Sequence, residues 1–144
     1  MSLIDIGSSI KEKLEKITEI SDIKNYNKVT ILIENQISPI ANRMNCIQGM
    51  LSQYFIMKNI NNIHFISASN KLKMFFEKKK TTYAERKKDS VDVTNKLLYK
   101  NNDTDNNKKL IIEMFHKNKK KDDLSDCFLQ AIWYIYNNKP ETLI

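Results

Sequence analysis

Val29 to Glu34 reads VTILIE, and Ile63 to Ser67 reads IHFIS. Both read as short strands, and VTILIE, a β-branched run, lacks the alternation of a half-exposed strand. That run predicts a central strand covered on both faces. Between them Ser38-Pro39 opens a helix, with Ser38 as cap and Pro39 at the first helical position. Ile40, Met44, Ile47, Leu51 and Phe55 continue that helix at near-helical spacing to about Lys58. Asn61-Asn62 is a turn signal, and Ser69-Asn70 can start a further short helix. Strand, helix, strand, helix in this order predicts a parallel α/β layer.

Outward from that centre, residues 8–20 read as an amphipathic helix capped by Ser8 or Ser9, with Ile10, Leu14 and Ile17 on one face. Residues 21–27 are a polar connection. Beyond the second strand, helices are expected over 83–99, 108–117 and 122–137, with a polar loop NNDTDNN at 101–107 and a lysine run from Lys117 to Lys121. No repeat or long linker interrupts the chain, so residues 1–144 are read as a single domain.

Composition narrows the classes. A hydrophobic fraction of 41% supports a folded core, and 2 Gly with 2 Pro disfavour a turn-rich β-sandwich. The formal charge of +7 favours a polyanionic partner, nucleic acid or an anionic membrane. No apolar run has the length of a membrane span, and no secretory signal is visible. Cys46 and Cys127 sit in apolar-periodic segments and are expected to be buried free thiols in a reducing compartment. No P-loop, Gly-rich dinucleotide turn or nucleophile elbow occurs, and neither His64 nor His116 has a partner at zinc spacing.

Three groups of residues could carry chemistry. Glu34 ends the first strand, where open α/β sheets place ligands; the bland alternative is a solvated Glu beginning a loop. Asp122, Asp123 and Asp126 open the last helix one turn apart, with Asp123 nearest the expected buried stripe of Leu124, Phe128, Ala131 and Ile135. Acids in a first turn are also ordinary capping and dipole residues. Clustered carboxylates otherwise need a cation, and Mg²⁺ prefers carboxylate oxygen. Lys71, Lys73, Lys78, Lys79, Lys80, Arg86, Lys87 and Lys88, interleaved with Phe75, Phe76 and Tyr83, form either a phosphate-contacting surface or a solvated face.

Taken together, ILIENQ (31–36) with RMNCIQGMLSQYF (43–55), KTTYAERKKDSV (80–91) and KKDDLSDCFLQAIWY (120–134) resemble the poxvirus-type Holliday junction resolvases, relatives of the bacterial and mitochondrial junction resolvases. The resemblance implies an RNase H-like α/β fold, a mixed sheet with flanking helices. It implies a viral recombination nuclease: a homodimer, intracellular and acting in the host cytoplasm where viral DNA replicates, that cuts four-way DNA junctions. Four carboxylates would hold two Mg²⁺ ions, with Mn²⁺ as a substitute, and neither a small-molecule cofactor nor a membrane is implied. On the family's pattern Glu34 matches the second acid, Asp123 and Asp126 the last two, and Lys121 a basic residue beside them. Lys78, Lys79, Lys80, Arg86, Lys87 and Lys88 are the expected DNA contacts. Two ions about 3.5–4 Å apart can activate a water and stabilise the leaving oxygen.

The departure from that pattern is at the N-terminus. Leu3 to Gly7, LIDIG, superficially matches the strand that bears the family's first acid. Only 28 residues separate Asp5 from Glu34, too few for the helix and two further antiparallel strands. Asp5 is therefore expected just before the first helix, with the opening antiparallel strands absent, and a shortened version using Asp5 as first acid is the alternative. The competing functions are a catalytically inactive DNA-binding or dimerisation module on the same scaffold, and a basic α/β interaction protein with an accidental motif match.

Overall fold

The computed structural model describes residues 1–17, 29–36, 42–76, 82–99 and 106–138. They fall into two compact units, Met1–Ser67 and Ala68–Ile144.

In the first unit, α1 (Leu3–Glu15) packs against α2 (Asn42–Met57). Two strands, β1 (Ile31–Glu34) and β2 (Ile63–Ile66), pair in parallel with Ile31 opposite Ile63 and Glu34 opposite Ile66. The helix α1 starts much earlier than its apolar spacing suggests. Ser2 caps it: Ser2 Oγ accepts from Asp5 N at 3.1 Å and Asp5 Oδ2 accepts from Ser2 N at 2.7 Å. This reciprocal pair satisfies two N-terminal donors and draws LIDIG, which alternates like a strand, into the first helical turn. At the other end of α2, Asn59 takes a left-handed conformation with φ of 61°. Its N–H donates to Ile56 O at 2.9 Å, and Ile60 N–H reaches back to Phe55 O at 3.0 Å. That is a Schellman stop, closed by buried Ile60 and Phe55. It turns the chain directly into β2.

The core of this unit is Ile6, Ile33, Phe55, Ile60 and Ile66. A groove of about 620 Å³ runs between α1 and α2, lined chiefly by apolar atoms of Ile10, Met50, Tyr54 and Met57 and by both glycines, Gly7 and Gly49.

The second unit begins with a single 3₁₀ turn (Ala68–Asn70), followed by α3 (Tyr83–Tyr99), α4 (Asn106–Lys117) and α5 (Lys121–Asn138). Thr82 and Glu85 open α3 with a second capping box: Thr82 Oγ1 accepts from Glu85 N, and Glu85 Oε2 accepts from Thr82 N at 2.6 Å. The helices α3 and α5 pack most extensively, and α5 also meets α4 and the 3₁₀ turn. Buried Val93, Leu98, Phe115 and Leu129 form the core.

Two sequence expectations are overturned here. The fold is not an RNase H-like α/β mixed sheet: among the described residues it is mostly helical, with a two-stranded parallel sheet. Among the described residues only parts of the VTILIE and IHFIS stretches form strands, and capping overrides the alternation of LIDIG. Nor is β1 covered on both faces. Ile33 is buried, but Ile31, Leu32 and Glu34 are only half-buried, and Phe65 of β2 is exposed. The expected cap at Ser38-Pro39 and the loop at 101–105 lie outside the described residues.

A lysine-paired aspartate cluster as candidate functional site

The acids at the start of α5 are where charge concentrates in the second unit. Asn118 Oδ1 accepts from Lys120 N at 2.8 Å just ahead of the helix, and Ser125 Oγ bonds back to Lys121 O at 2.7 Å within its first turn. The buried face of the helix starts at Ser125 and Leu129, one position on from the expected Leu124–Phe128 stripe. That rotation decides which aspartates turn inward. Asp122 and Asp126 share the flank of Ser125 and Leu129, three and four residues along the helix. Asp123, expected to face inward, points to solvent with its side chain 63% exposed.

Each aspartate has its own lysine. The Lys71 ammonium, from the turn after the 3₁₀ segment, bonds Asp126 Oδ2 in a pair whose side chains are 14% and 25% exposed. Lys87 of α3 donates to Asp122 Oδ2 at 2.5 Å and lies over the Tyr83 ring, 5.1 Å from its centroid. Lys120 stands 3.6 Å from Asp123 at the surface. The Lys87 hydrogen bond holds the Asp122 carboxyl below its usual range, and Asp122 with Tyr83 pushes the Lys87 ammonium above its own. Lys121 begins α5 half-buried, with its carbonyl capturing Ser125.

One acceptor in this cluster is unmet. Asp126 Oδ1 is buried and has no hydrogen-bond partner, although Oδ2 is held by Lys71. A buried carboxylate oxygen left without a donor is costly, and a hard cation would satisfy it. Mg²⁺ takes one or two carboxylates and completes its shell with water and phosphate oxygen, but the Asp126 carboxylate is already held by Lys71. Among the described residues no three His, Cys, Asp or Glu side chains gather closely enough to hold a metal.

The remaining expected site residues are placed as follows. Glu34 ends β1, as predicted, in the first unit; Asn35 N extends the ladder to Ile66 O at 2.8 Å, and Gln36 N donates to Gln48 Oε1 of α2 at 2.9 Å. The strand end that carries Glu34 is thereby pinned to α2. Asp5 is the N3 acid of the α1 capping box, inside the first helix rather than ahead of it. Both Ser2 hydrogen bonds hold its carboxyl below the usual range. Arg86 and Lys88 are exposed on α3, flanking Lys87, while Lys78, Lys79 and Lys80 lie outside the described residues. Cys46 and Cys127 are exposed and in no disulfide, correcting the expectation that they are buried. Sequence reasoning missed Lys71 as the partner of Asp126. Its signal was one lysine among many in a basic stretch.

Elsewhere, the α1–α2 groove is apolar, and its Glu15 and Lys58 pair with each other at 3.9 Å. No helix among the described residues is long and apolar enough to cross a membrane. No family model, curated protein or solved structure matches this chain.

Proposed function

We propose that this protein is a structure-selective endodeoxyribonuclease that resolves four-way DNA junctions by Mg²⁺-dependent phosphodiester hydrolysis. The observation that carries the reading is the buried, unpartnered Oδ1 of Asp126 in a cluster of aspartates bordered by lysines from two other segments. The resemblance of KKDDLSDCFLQAIWY, ILIENQ and KTTYAERKKDSV to junction resolvases gives that cluster its substrate. A bound Mg²⁺ would supply an activated water and charge stabilisation at the cleaved phosphate. Asp126 is the residue to hold it, with Asp123 as a further ligand on the resemblance. Lys121 stands beside the cluster at the start of α5. Arg86, Lys87 and Lys88 offer the phosphate contacts on α3, joined by Lys78, Lys79 and Lys80. Such contacts fix register on the duplex without reading its sequence. A homodimer would present two such clusters to the two symmetric strands of a junction.

A second reading is favoured by the ion pairs themselves. With Lys71, Lys87 and Lys120 on the three aspartates, the chain could bind junctions without cutting them. A synthetic four-way junction and the matching linear duplex, each with Mg²⁺ or Mn²⁺, separate the two. The nuclease reading expects preferential junction binding and symmetric cleavage, lost in Asp126→Asn. It also expects Lys87→Ala/Lys88→Ala to weaken binding and flatten its dependence on salt, because fewer counterions are released. Junction binding without cleavage in either metal selects the binding module. Equal, weak binding to junction and duplex overturns both.

A further inference from the structure

The groove of the first unit has a direction. Arg43 donates to Met1 O at 2.6 Å, a Cβ at Gly7 would stand 3.5 Å from Met50 Sδ, and Glu15 pairs with Lys58 at 3.9 Å. The helices α1 and α2 therefore run parallel, and the charged residues of the lining, Lys11, Glu15 and Lys58, gather toward one end of the groove. Gly7, Gly49 and Met50 lie toward the other. From Gly7 to Glu15 the groove follows eight helical steps, about 12 Å. Its volume of about 620 Å³ is that of a small-molecule site. The chain has 2 glycines, and both line this groove from inside helices, where glycine is less stable than alanine. At Gly49 no neighbour comes within 4 Å of the place a Cβ would take, so packing within the chain does not call for glycine there. The missing side chain keeps the groove open. Tyr54 supplies an independent observation. It lines the same groove, the Lys58 ammonium lies 5.7 Å from its ring centroid, and its hydroxyl is buried without a hydrogen-bond partner among the described residues. A phenol so placed is short of one acceptor.

We infer that the groove between α1 and α2 binds a medium-chain carboxylate, with the alkyl tail along Gly7, Gly49 and Met50 and the head between Lys11, Lys58 and the Tyr54 hydroxyl. The tail is held because each methylene leaves water, and the flexible Met50 thioether adapts to its shape. The head is chosen by charge. Lys11 and Lys58 against Glu15 leave one net positive charge at that end, which suits a monoanion; a phosphate monoester carries more negative charge than that, and an alcohol none. A carboxylate accepts from the phenol and from both ammonium groups, in charge-assisted bonds. It must compete with Glu15 for Lys58, but that pair is loose, at 3.9 Å with both side chains 43% exposed, and opens at little cost. The site stands apart from the nuclease reading, since no residue assigned to junction binding or cleavage lines it.

The test is a calorimetric titration of the full chain with decanoate below its micelle concentration, with hexanoate and decanol as comparisons. Decanoate is expected to bind at one site per chain. Each buried methylene changes affinity about fourfold, so hexanoate should bind about a hundredfold more weakly. Decanol keeps the tail and loses the charged head, and should bind about tenfold more weakly than decanoate. Gly49→Leu puts a good helix former into open space, so it is expected to keep or raise the melting temperature while weakening decanoate at least tenfold. Tyr54→Phe is expected to weaken decanoate about tenfold and to leave decanol unchanged. If Gly49→Leu does not fold, Lys11→Gln with Lys58→Gln at the exposed end decides: decanoate weakened about tenfold, decanol unchanged. No binding of decanoate, binding indifferent to Gly49→Leu, or decanol bound as tightly as decanoate overturns the assignment. So does a groove that ignores decanoate but carries a dimer in sedimentation, lost in Gly49→Leu, because its occupant is then a second copy of the chain.

Discussion

Asp126→Asn is expected to destabilise the second unit, whereas Asp123→Asn is expected to leave it unchanged. The two acids are three residues apart on one helix, but their surroundings differ. Removing one partner of a fully buried ion pair costs about 3–5 kcal/mol, because the other charge is left without compensation. Lys71 and Asp126 keep 14% and 25% of their side-chain surface, so water offsets part of that loss. The expected cost is about 2 kcal/mol. Asp123 and Lys120 stand 3.6 Å apart at 63% and 80% exposure, where an ion pair contributes roughly 0–1 kcal/mol. Urea unfolding followed by circular dichroism reads the difference. With a slope of about 2 kcal/mol per molar, Asp126→Asn should lower the midpoint by roughly 1 M and Asp123→Asn by much less. A cycle adds a stricter condition. Since a buried pair exchanged for apolar residues is often nearly neutral, Lys71→Met with Asp126→Leu should cost less than the two single changes summed. Equal midpoints for the two Asn variants, or additive costs in the cycle, would refute the inward placement of Asp126.

Two other outcomes are expected. Cys46 and Cys127 should both react with an aromatic disulfide reagent in native buffer, giving two thiols per chain in one fast phase; fewer than two without denaturant would restore the buried assignment. Asp5, whose carboxyl is held below its usual value of 3.8, stabilises α1 above that pH, and its contribution is lost as pH falls through the depressed folded value. An acid titration of helical signal should therefore lose part of its low-pH transition in Asp5→Ala, and an unchanged titration would contradict the capping box.

Much of the secondary structure was legible because local chemistry and tertiary packing agree. The 83–99 helix coincides with α3, where a Thr-x-x-Glu box marks the start and nothing competes for the segment. Both strands were legible from their β-branched runs. The fold class was not. Two strands were extended into an expected sheet by family likeness, and the segment that most resembled a third strand was claimed by Ser2. The orientation of α5 was misjudged because an apolar stripe was sought while the close contact is made through Ser125. Hydrophobicity reports what could be buried, whereas a small hydroxyl residue is buried because helices approach there. The ion pairs of Lys71 and Lys87 were illegible for another reason. In a chain with 24 basic residues, spacing cannot say which lysine meets which acid.

The packed faces of α3 and α5 include Ser90, Thr94 and Ser125, all essentially inaccessible to solvent. Ser90 Oγ bonds to Arg86 O at 3.0 Å and Ser125 Oγ to Lys121 O at 2.7 Å, each within its own helix. The hydroxyls therefore fill the seam without tying its two sides together, and Thr94 Oγ1 has no partner across it either. The Lys87–Asp122 bond joins the leading ends of the same two helices, and so supplies a side-chain tie that these hydroxyls do not. Salt screens that partly exposed ion pair, so its hold on the two helix ends weakens as ionic strength rises.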